Sequence, residues 1–260
     1  MKITDAKIEY FKKGRLFSQT CEGVKHVKTL PYLSVVQSVV GSYSIALDRA
    51  PAEDTGSGGF FIAPSGACQT IVHHLDPETR RMSCRWVFLS MDVNGGVPID
   101  SLYRFPSVLL RDASVELNHL FDLMFSTDDL WENYACCYRM MGLLLTLAEP
   151  VEKSGSQCLE TSVSYMLRNL ALPMNVSDLA VAANMSESNY YAAFRKRYGR
   201  SPMSYLNHVR LSLAADRLRQ SDDSIGEIAS SVGIPDSLYF SKLFKKHFGV
   251  SPREYRCQND

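Results

Sequence analysis

Apolar positions along this chain change period near its middle. From Ile3 to about Ser90 they alternate two by two, as in Tyr43/Ile45/Leu47 and Met82/Cys84/Trp86/Phe88, the spacing of strands with one buried face. Asp76-Pro77-Glu78-Thr79 separates the apolar runs 69–75 and 80–89, and a proline fixing φ at the second turn position predicts a hairpin there. Thr55-Gly56-Ser57-Gly58-Gly59 predicts another loop. Many short strands broken by Gly, Pro, Ser and Asp predict a small barrel or jelly roll, with strands running to about 105.

From residue 112 to 148 the period becomes three-and-four, predicting helices over 115–125 and 130–148. The second carries a stripe of Tyr134, Cys137, Tyr138, Met141, Leu144, Leu145 and Ala148. That stripe has two ways to be buried: against the barrel, or against the same helix of a second copy in an antiparallel pair. Residues 149–156, EPVEKSGS, then read as a linker, because proline stops the helix and the polar stretch that follows has nothing to pack. The expected domains are therefore 1–150 and 151–260.

Residues 224–256 carry a succession of helix-turn-helix signals. Ser224 and Glu227 form a capping box, Ile225, Ile228, Ala229 and Val232 an apolar stripe, and Gly233 stands where the chain must leave the helix. Asp236 or Ser237 can cap the next helix. There Tyr239, Phe240, Leu243 and Phe244 are expected to face inward, leaving Ser237, Leu238, Ser241, Lys242, Lys245 and Lys246 outside. Ser251, Pro252 and Glu254 write a further helix start. A basic solvated surface would also carry Lys245 and Lys246, but residues 176–206 repeat the whole unit. Leu179-Ala180 aligns with Ile228-Ala229, Phe194-Arg195-Lys196 with Phe244-Lys245-Lys246, and Gly199-x-Ser201-Pro202-x-x-Tyr205 with Gly249-x-Ser251-Pro252-x-x-Tyr255. The offset is 49 and then 50, so one residue is inserted before the second recognition helix.

These tandem units (about 176–199 and 224–249), joined by a helix with Arg210, Ala214 and Leu218, closely resemble the DNA-binding domain of the AraC/XylS transcriptional regulators. Residues 58–77, GGFFIAPSGACQTIVHHLDP, resemble the cupin-like effector domain attached to many of them. The expected fold is α+β and multidomain: an N-terminal cupin-like β-barrel with covering helices, then an all-α domain of two helix-turn-helix units joined by a helix. The resemblance implies a double-stranded DNA operator, RNA polymerase as a further partner, a small-molecule effector, and a homodimer through helix 130–148. By match to the family's recognition helices, Ser188, Asn189, Tyr191 and Ala192, and then Ser237, Leu238, Ser241 and Lys242, face bases, with Lys242 suited to guanine. Arg195, Lys196, Lys245 and Lys246 lie further along and suit phosphates. The connecting helix, residues 202–219, is long enough to span ~27 Å, the order needed to place two helices in successive major grooves.

Composition narrows this picture. The formal net charge of zero divides into 14 Lys+Arg against 17 Asp+Glu in residues 1–150 (net −3) and 14 against 11 in 151–260 (net +3), so the helical part is the basic one. No apolar run approaches the ~20 residues of a membrane span, and the opening MKITDAKIEYFKK does not build a signal peptide, so a cytoplasmic location is expected. Seven scattered cysteines contain no CxxC and suggest neither a disulfide framework nor a zinc site, and Cys136-Cys137, helix neighbours that cannot both face one metal, read as small buried hydrophobes. His73 and His74, being consecutive on a strand, point to opposite faces and cannot chelate one ion, so neither a metal nor another cofactor is expected. No G-x-S-x-G motif or phosphate-cradling loop supplies catalysis, which leaves an enzyme without candidate residues. The effector pocket is expected among Tyr43, Ile45, Phe60, Ile62, His73, Trp86 and Phe88. The competing class is a ligand-binding or scaffold protein whose helices dock protein in place of DNA.

Overall fold

In chain order the strands of the computed structural model begin with β1 (Ala6–Gln19), β2 (Lys25–Thr29), β3 (Leu33–Val40), β4 (Ser42–Leu47), β5 (Glu53–Asp54) and β6 (Phe60–Ala63). There follow β7 (Cys68–His74), β8 (Met82–Val93), β9 (Val97–Pro98), β10 (Tyr103–Arg104), β11 (Val108–Leu109), α1 (Val115–Ser126), α2 (Leu130–Thr146) and β12 (Glu149–Pro150). The structure describes residues 2–94, 96–151 and 157–257. Two units emerge: an N-terminal one of residues 1–27 and 32–152, and a C-terminal one of 153–260 together with Lys28–Pro31.

Among the described residues of the N-terminal unit, the larger sheet has the order β1-β8-β3-β6-β11, with β9 on β8, and the smaller the order β2-β7-β4-β5. Both are antiparallel and neither closes on itself, so the closed barrel expected above is corrected to two open sheets. The expected hairpin is corrected too. The turn forms, with Thr79 N–H donating to Asp76 Oδ1 at 2.8 Å and Arg80 N–H to Asp76 O at 2.9 Å, but it carries the chain from β7 in one sheet to β8 in the other. Turn chemistry is local, whereas the choice of partner depends on both faces of the strand. β8 buries Val87 and Leu89 on one face and Cys84 and Phe88 on the other, so it sits between β1 and β3.

The larger sheet's outer face holds Leu33, Val35, Phe60, Ile62, Val87 and Leu89 against Leu117, Leu120 and Phe121 of α1 and Cys137, Met141 and Leu144 of α2. The stripe that could have paired two copies is thus core at Cys137, Met141 and Leu144, while Tyr138 of the same stripe is exposed and hydrogen-bonds the backbone of Ala6 and Ile8. Burial pushes the Cys137 thiol up to about 12, in keeping with a structural role. Lys13 donates to Met124 O and Thr127 O, placing a cation on the C-terminal carbonyls of α1 where the helix dipole favours it. Glu149 and Pro150 are not loose linker but pair with β10, and Val151 N–H donates to Leu102 O at 2.9 Å; the rest of the expected linker, 152–156, lies outside the described residues.

The C-terminal unit runs α3 (Gln157–Arg168), α4 (Val176–Ala182), α5 (Glu187–Tyr198), α6 (Pro202–Gln220), α7 (Ile225–Ser231), α8 (Ser237–Phe248) and α9 (Pro252–Cys257). Ser201 caps α6 through Ser204 N–H, and Pro202 occupies its first turn, where a missing N–H costs nothing. Leu206, Val209, Leu211, Leu213, Ala214 and Leu218 bury α6 on most of its circumference, and it touches α4 and α5 on one side and α7, α8 and α9 on the other. A spine helix of this kind fixes whatever its neighbours present.

Candidate nucleic-acid interface

Each reader is a short helix, a turn and a recognition helix, and the backbone demands of each step are met by side chains written at that step. Asn175 and Asp178 form a capping box at α4, as Ser224 and Glu227 do at α7; in the second box the hydrogen bonds from Ser224 hold the Glu227 carboxyl below its usual range. Recognition helix α5 is capped by Ser186, which accepts from Asn189 N–H, and α8 by Asp236, which accepts from Leu238 and Tyr239 N–H, both at 3.0 Å. Both helices end on a left-handed glycine, Gly199 at φ 73° and Gly249 at φ 82°.

The same aromatic cluster then seats each recognition helix. Phe194 meets Tyr198 at 4.5 Å and Tyr205 edge to face at 5.5 Å and 79°. Phe244 meets Phe248 at 4.5 Å and Tyr255 at 5.4 Å and 79°. Tyr190 and Phe240 complete the buried faces, Tyr190 with its hydroxyl 2.7 Å from Ser162 of α3. What remains outside is the candidate surface. Ser188, Asn189, Tyr191 and Ala192 are exposed on α5, and Ser237, Leu238 and Lys242 on α8, with Ser241 half-buried. Arg195, Lys196, Lys245 and Lys246 are exposed in the last turns.

One expectation fails on α8. Tyr239 was to face inward, but it is 52% exposed and lies beside Leu238, itself 75% exposed. Phe240 alone fills the inward position that Tyr190 fills in the first reader. Adjacent aromatic residues leave the register of a helix ambiguous by 100°, but the repeat resolves it: with the offset of 50, Tyr239 is the counterpart of Asn189. Arg197 was also passed over; it is exposed, and its guanidinium lies 5.5 Å from the Tyr198 ring centre.

Comparison with known proteins agrees with this architecture. A sequence model described as a helix-turn-helix domain matches residues 179–258. The MmsAB operon regulatory protein of Pseudomonas aeruginosa is 33% identical over 120 residues, 45% of this chain and 39% of that one. The raffinose operon transcriptional regulatory protein RafR of Pediococcus pentosaceus is 25% identical over 232 residues, 83% of this chain and 81% of that one. Residues 179–258 are thus a helix-turn-helix domain, and the chain is similar to transcriptional regulators of the AraC type. Across nearly the whole regulator the fold is also that of fatty-acid-bound ToxT from Vibrio cholerae, with a TM-score of 0.64 at 12% identity over 98% of this chain and 96% of that one. The chain spans well under half the length of the first of these relatives.

The regulator's expected effector residues do not all come together. Tyr43, Ile45 and His73 lie on the inner face of the smaller sheet, and Tyr43 contacts His73 at 4.9 Å and Phe61 at 5.4 Å. Burial pushes the Tyr43 phenol well above its usual range, and Cys84 beside it adds to the shift. Trp86 and Phe88 stack at 4.4 Å on the facing side of the larger sheet, Trp86 lying over Gly14, where an added Cβ would meet the indole at 2.1 Å. Phe60 and Ile62 are on the other face, Phe60 meeting Phe121 of α1 edge to face at 4.9 Å, and are corrected to core. All four residues of β6 are buried, so polarity gave no sign of which face each side chain takes. Sequence reading missed Phe61, the Tyr10–Tyr32 stack at 4.0 Å, and Gln69, which is fully buried with its Oε1 lacking a hydrogen-bond partner among the described residues.

Proposed function

We propose that residues 151–260 read an operator in double-stranded DNA through α5 and α8, and that residues 1–150 hold a small organic effector and join two copies of the regulator in the cytoplasm. The observation that carries the reading is the recurrence of one cap, cluster and glycine stop in both readers, each leaving a polar and cationic face unburied. Ser188, Asn189, Tyr191 and Ala192 on α5, and Ser237, Leu238, Tyr239, Ser241 and Lys242 on α8, take the base edges. Lys242 suits guanine O6 and N7, Asn189 suits adenine, and Leu238 and Ala192 suit thymine methyl groups. Arg195, Lys196, Lys245 and Lys246 hold phosphates.

For the effector, the region between the sheets offers stacked rings for a flat apolar body and the unpaired Gln69 Oε1 for a donor group. For the dimer, the face of α2 turned away from the core carries Trp131, Ala135, Tyr138 and Gly142 at helical spacing, all exposed. In an antiparallel pair Trp131 of each copy lies over Gly142 of the other, where an added Cβ would meet nothing within 4 Å, and Glu132 comes beside Arg139. This support comes from the exposure and charge of the face, which keeps Tyr138 of the stripe named at first and leaves out its buried members Cys137, Met141 and Leu144.

The test is equilibrium binding of mixed-sequence duplex DNA as salt is raised. Four phosphate contacts give a salt slope near −3.6, so affinity should fall about a hundredfold between roughly 50 and 200 mM salt. Negligible binding at the lower salt would remove the DNA reading.

A further inference from the structure

Equivalent turns of the two readers carry different residues. Asn184 and Gly233 both follow the first helix of their reader, with φ of 52° and 79°. The next residue in each case closes the turn identically, Met185 N–H donating to Ala180 O and Ile234 N–H to Ala229 O, both at 2.9 Å. Asn184 is exposed, and asparagine visits the left-handed region at small cost. At Gly233 space decides as well as φ. A Cβ there would stand 2.3 Å from the carbonyl oxygen of Leu170 and 2.8 Å from Arg210 Nη2.

These contacts join the readers. Leu170 and Leu172 lie in the turn that leads from α3 into α4, at the entry to the first reader, Gly233 in the turn between α7 and α8 of the second, and Arg210 on the spine helix between them. Arg210 is 6% exposed; its Nε donates to Leu170 O at 2.9 Å and its Nη2 to Leu172 O at 2.7 Å. A buried guanidinium is costly unless its N–H groups are met, so displacing either carbonyl would leave a charge-bearing donor bare. The first reader's loop is thereby held against the second reader's turn at a point where the turn has no side chain to push it away.

We infer that Arg210 and Gly233 fasten the two readers in one angular phase, making the spacing of the two contacted DNA segments, and not their sequence alone, a determinant of binding. The inference rests on the DNA reading proposed above. Two recognition helices on a hinged spine would each find its groove at several spacings, whereas fixed ones gain from preorganisation only when both grooves arrive together. Arg210 acts through the loop it holds and is a positioning residue.

The test uses the full chain and a duplex that the wild type selects from randomised DNA. It compares that duplex with one carrying two base pairs inserted between the protected segments, which turns one segment by about 70° relative to the other. Wild type should lose at least about tenfold on insertion, since the second contact is then no longer intramolecular. Arg210→Met and Gly233→Ala should bind the parent duplex about tenfold more weakly and lose less than about threefold further on insertion, with affinity for either segment alone unchanged. Arg210→Lys, which keeps the charge and part of the bonding, should fall between; it carries the comparison if circular dichroism finds Arg210→Met unfolded. Variants that keep the full wild-type spacing penalty, or a wild type indifferent to the insertion, would overturn the fastener. A wild type that selects no sequence overturns the DNA reading first, and this inference with it.

Discussion

His208 Nδ1 and His247 Nε2 lie 3.1 Å apart and join the spine helix to the last turn of the second recognition helix. Burial, and after it the charge of Arg200, pulls the His208 pKa down to about 3; burial and then Arg200 lower that of His247 as well. His208 Nε2 is buried without a hydrogen-bond partner among the described residues. A neutral ring has one N–H, and directing it from Nδ1 to His247 leaves only a bare lone pair at Nε2, which costs less than an orphan N–H.

The His208 imidazole is therefore neutral in the folded protein near pH 7. A depressed histidine pKa means that the unfolded chain binds the proton first, so this contribution is complete above the unfolded value near 6.5 and is lost as pH falls toward 3. For His208 the loss should reach about 2 kcal/mol at pH ~5 relative to pH ~8. Denaturant melts of wild type and His208→Leu over that range read it directly. The variant should lack this part of the slope, and parallel pH profiles would contradict the assignment.

Leu144 and Trp131 sit on opposite faces of α2, the first wholly buried and the second 81% exposed. Leu144→Glu buries an unpaired carboxylate and should unfold the N-terminal unit. Trp131→Glu should leave the fold intact and abolish self-association in sedimentation. If Trp131→Glu keeps the wild-type association constant, the exposed face is not where copies meet.

Gln69 is where the N-terminal unit should trade stability for binding. Among the described residues its Oε1 has no hydrogen-bond partner, and its Nε2 has a 3.4 Å contact to Ser34 Oγ. Replacing a poorly satisfied buried polar group by an apolar one of similar size is neutral or stabilising, so Gln69→Leu should raise the unliganded protein's stability by up to about 1 kcal/mol. The same variant should lose the thermal shift produced by any small molecule that stabilises wild type. A loss of more than about 2 kcal/mol would mean that the amide is holding the sheets together.

Much of the C-terminal unit was legible because its instructions are local. A capping box, a left-handed glycine and a proline at a helix start are demands of three or four consecutive residues, and Ser224, Glu227, Gly249, Ser251 and Pro252 state them one after another. The repeat pairs each position with a counterpart, and Tyr239 follows its counterpart Asn189 to the outside although its own apolar ring fits the inward pattern. The N-terminal unit was less legible because its decisions are made across the chain. Whether β8 follows β7 in one sheet or crosses to another, whether edges close, and which side of β6 faces the helices all depend on strands distant in sequence. The stripe of α2 was seen as apolar, but apolarity does not say against which neighbour it is buried.

The central claim is that α5 and α8 together read one stretch of DNA. Hydroxyl-radical footprinting of the full chain on a duplex it selects from randomised DNA tests this most directly. Two recognition helices in successive major grooves should protect two patches on one face of the duplex, about 10 base pairs apart, for each bound chain. Lys242→Ala should weaken sequence preference within one patch only, by about 1–3 kcal/mol. A single protected patch per chain, or protection that does not change with Lys242, would contradict the account.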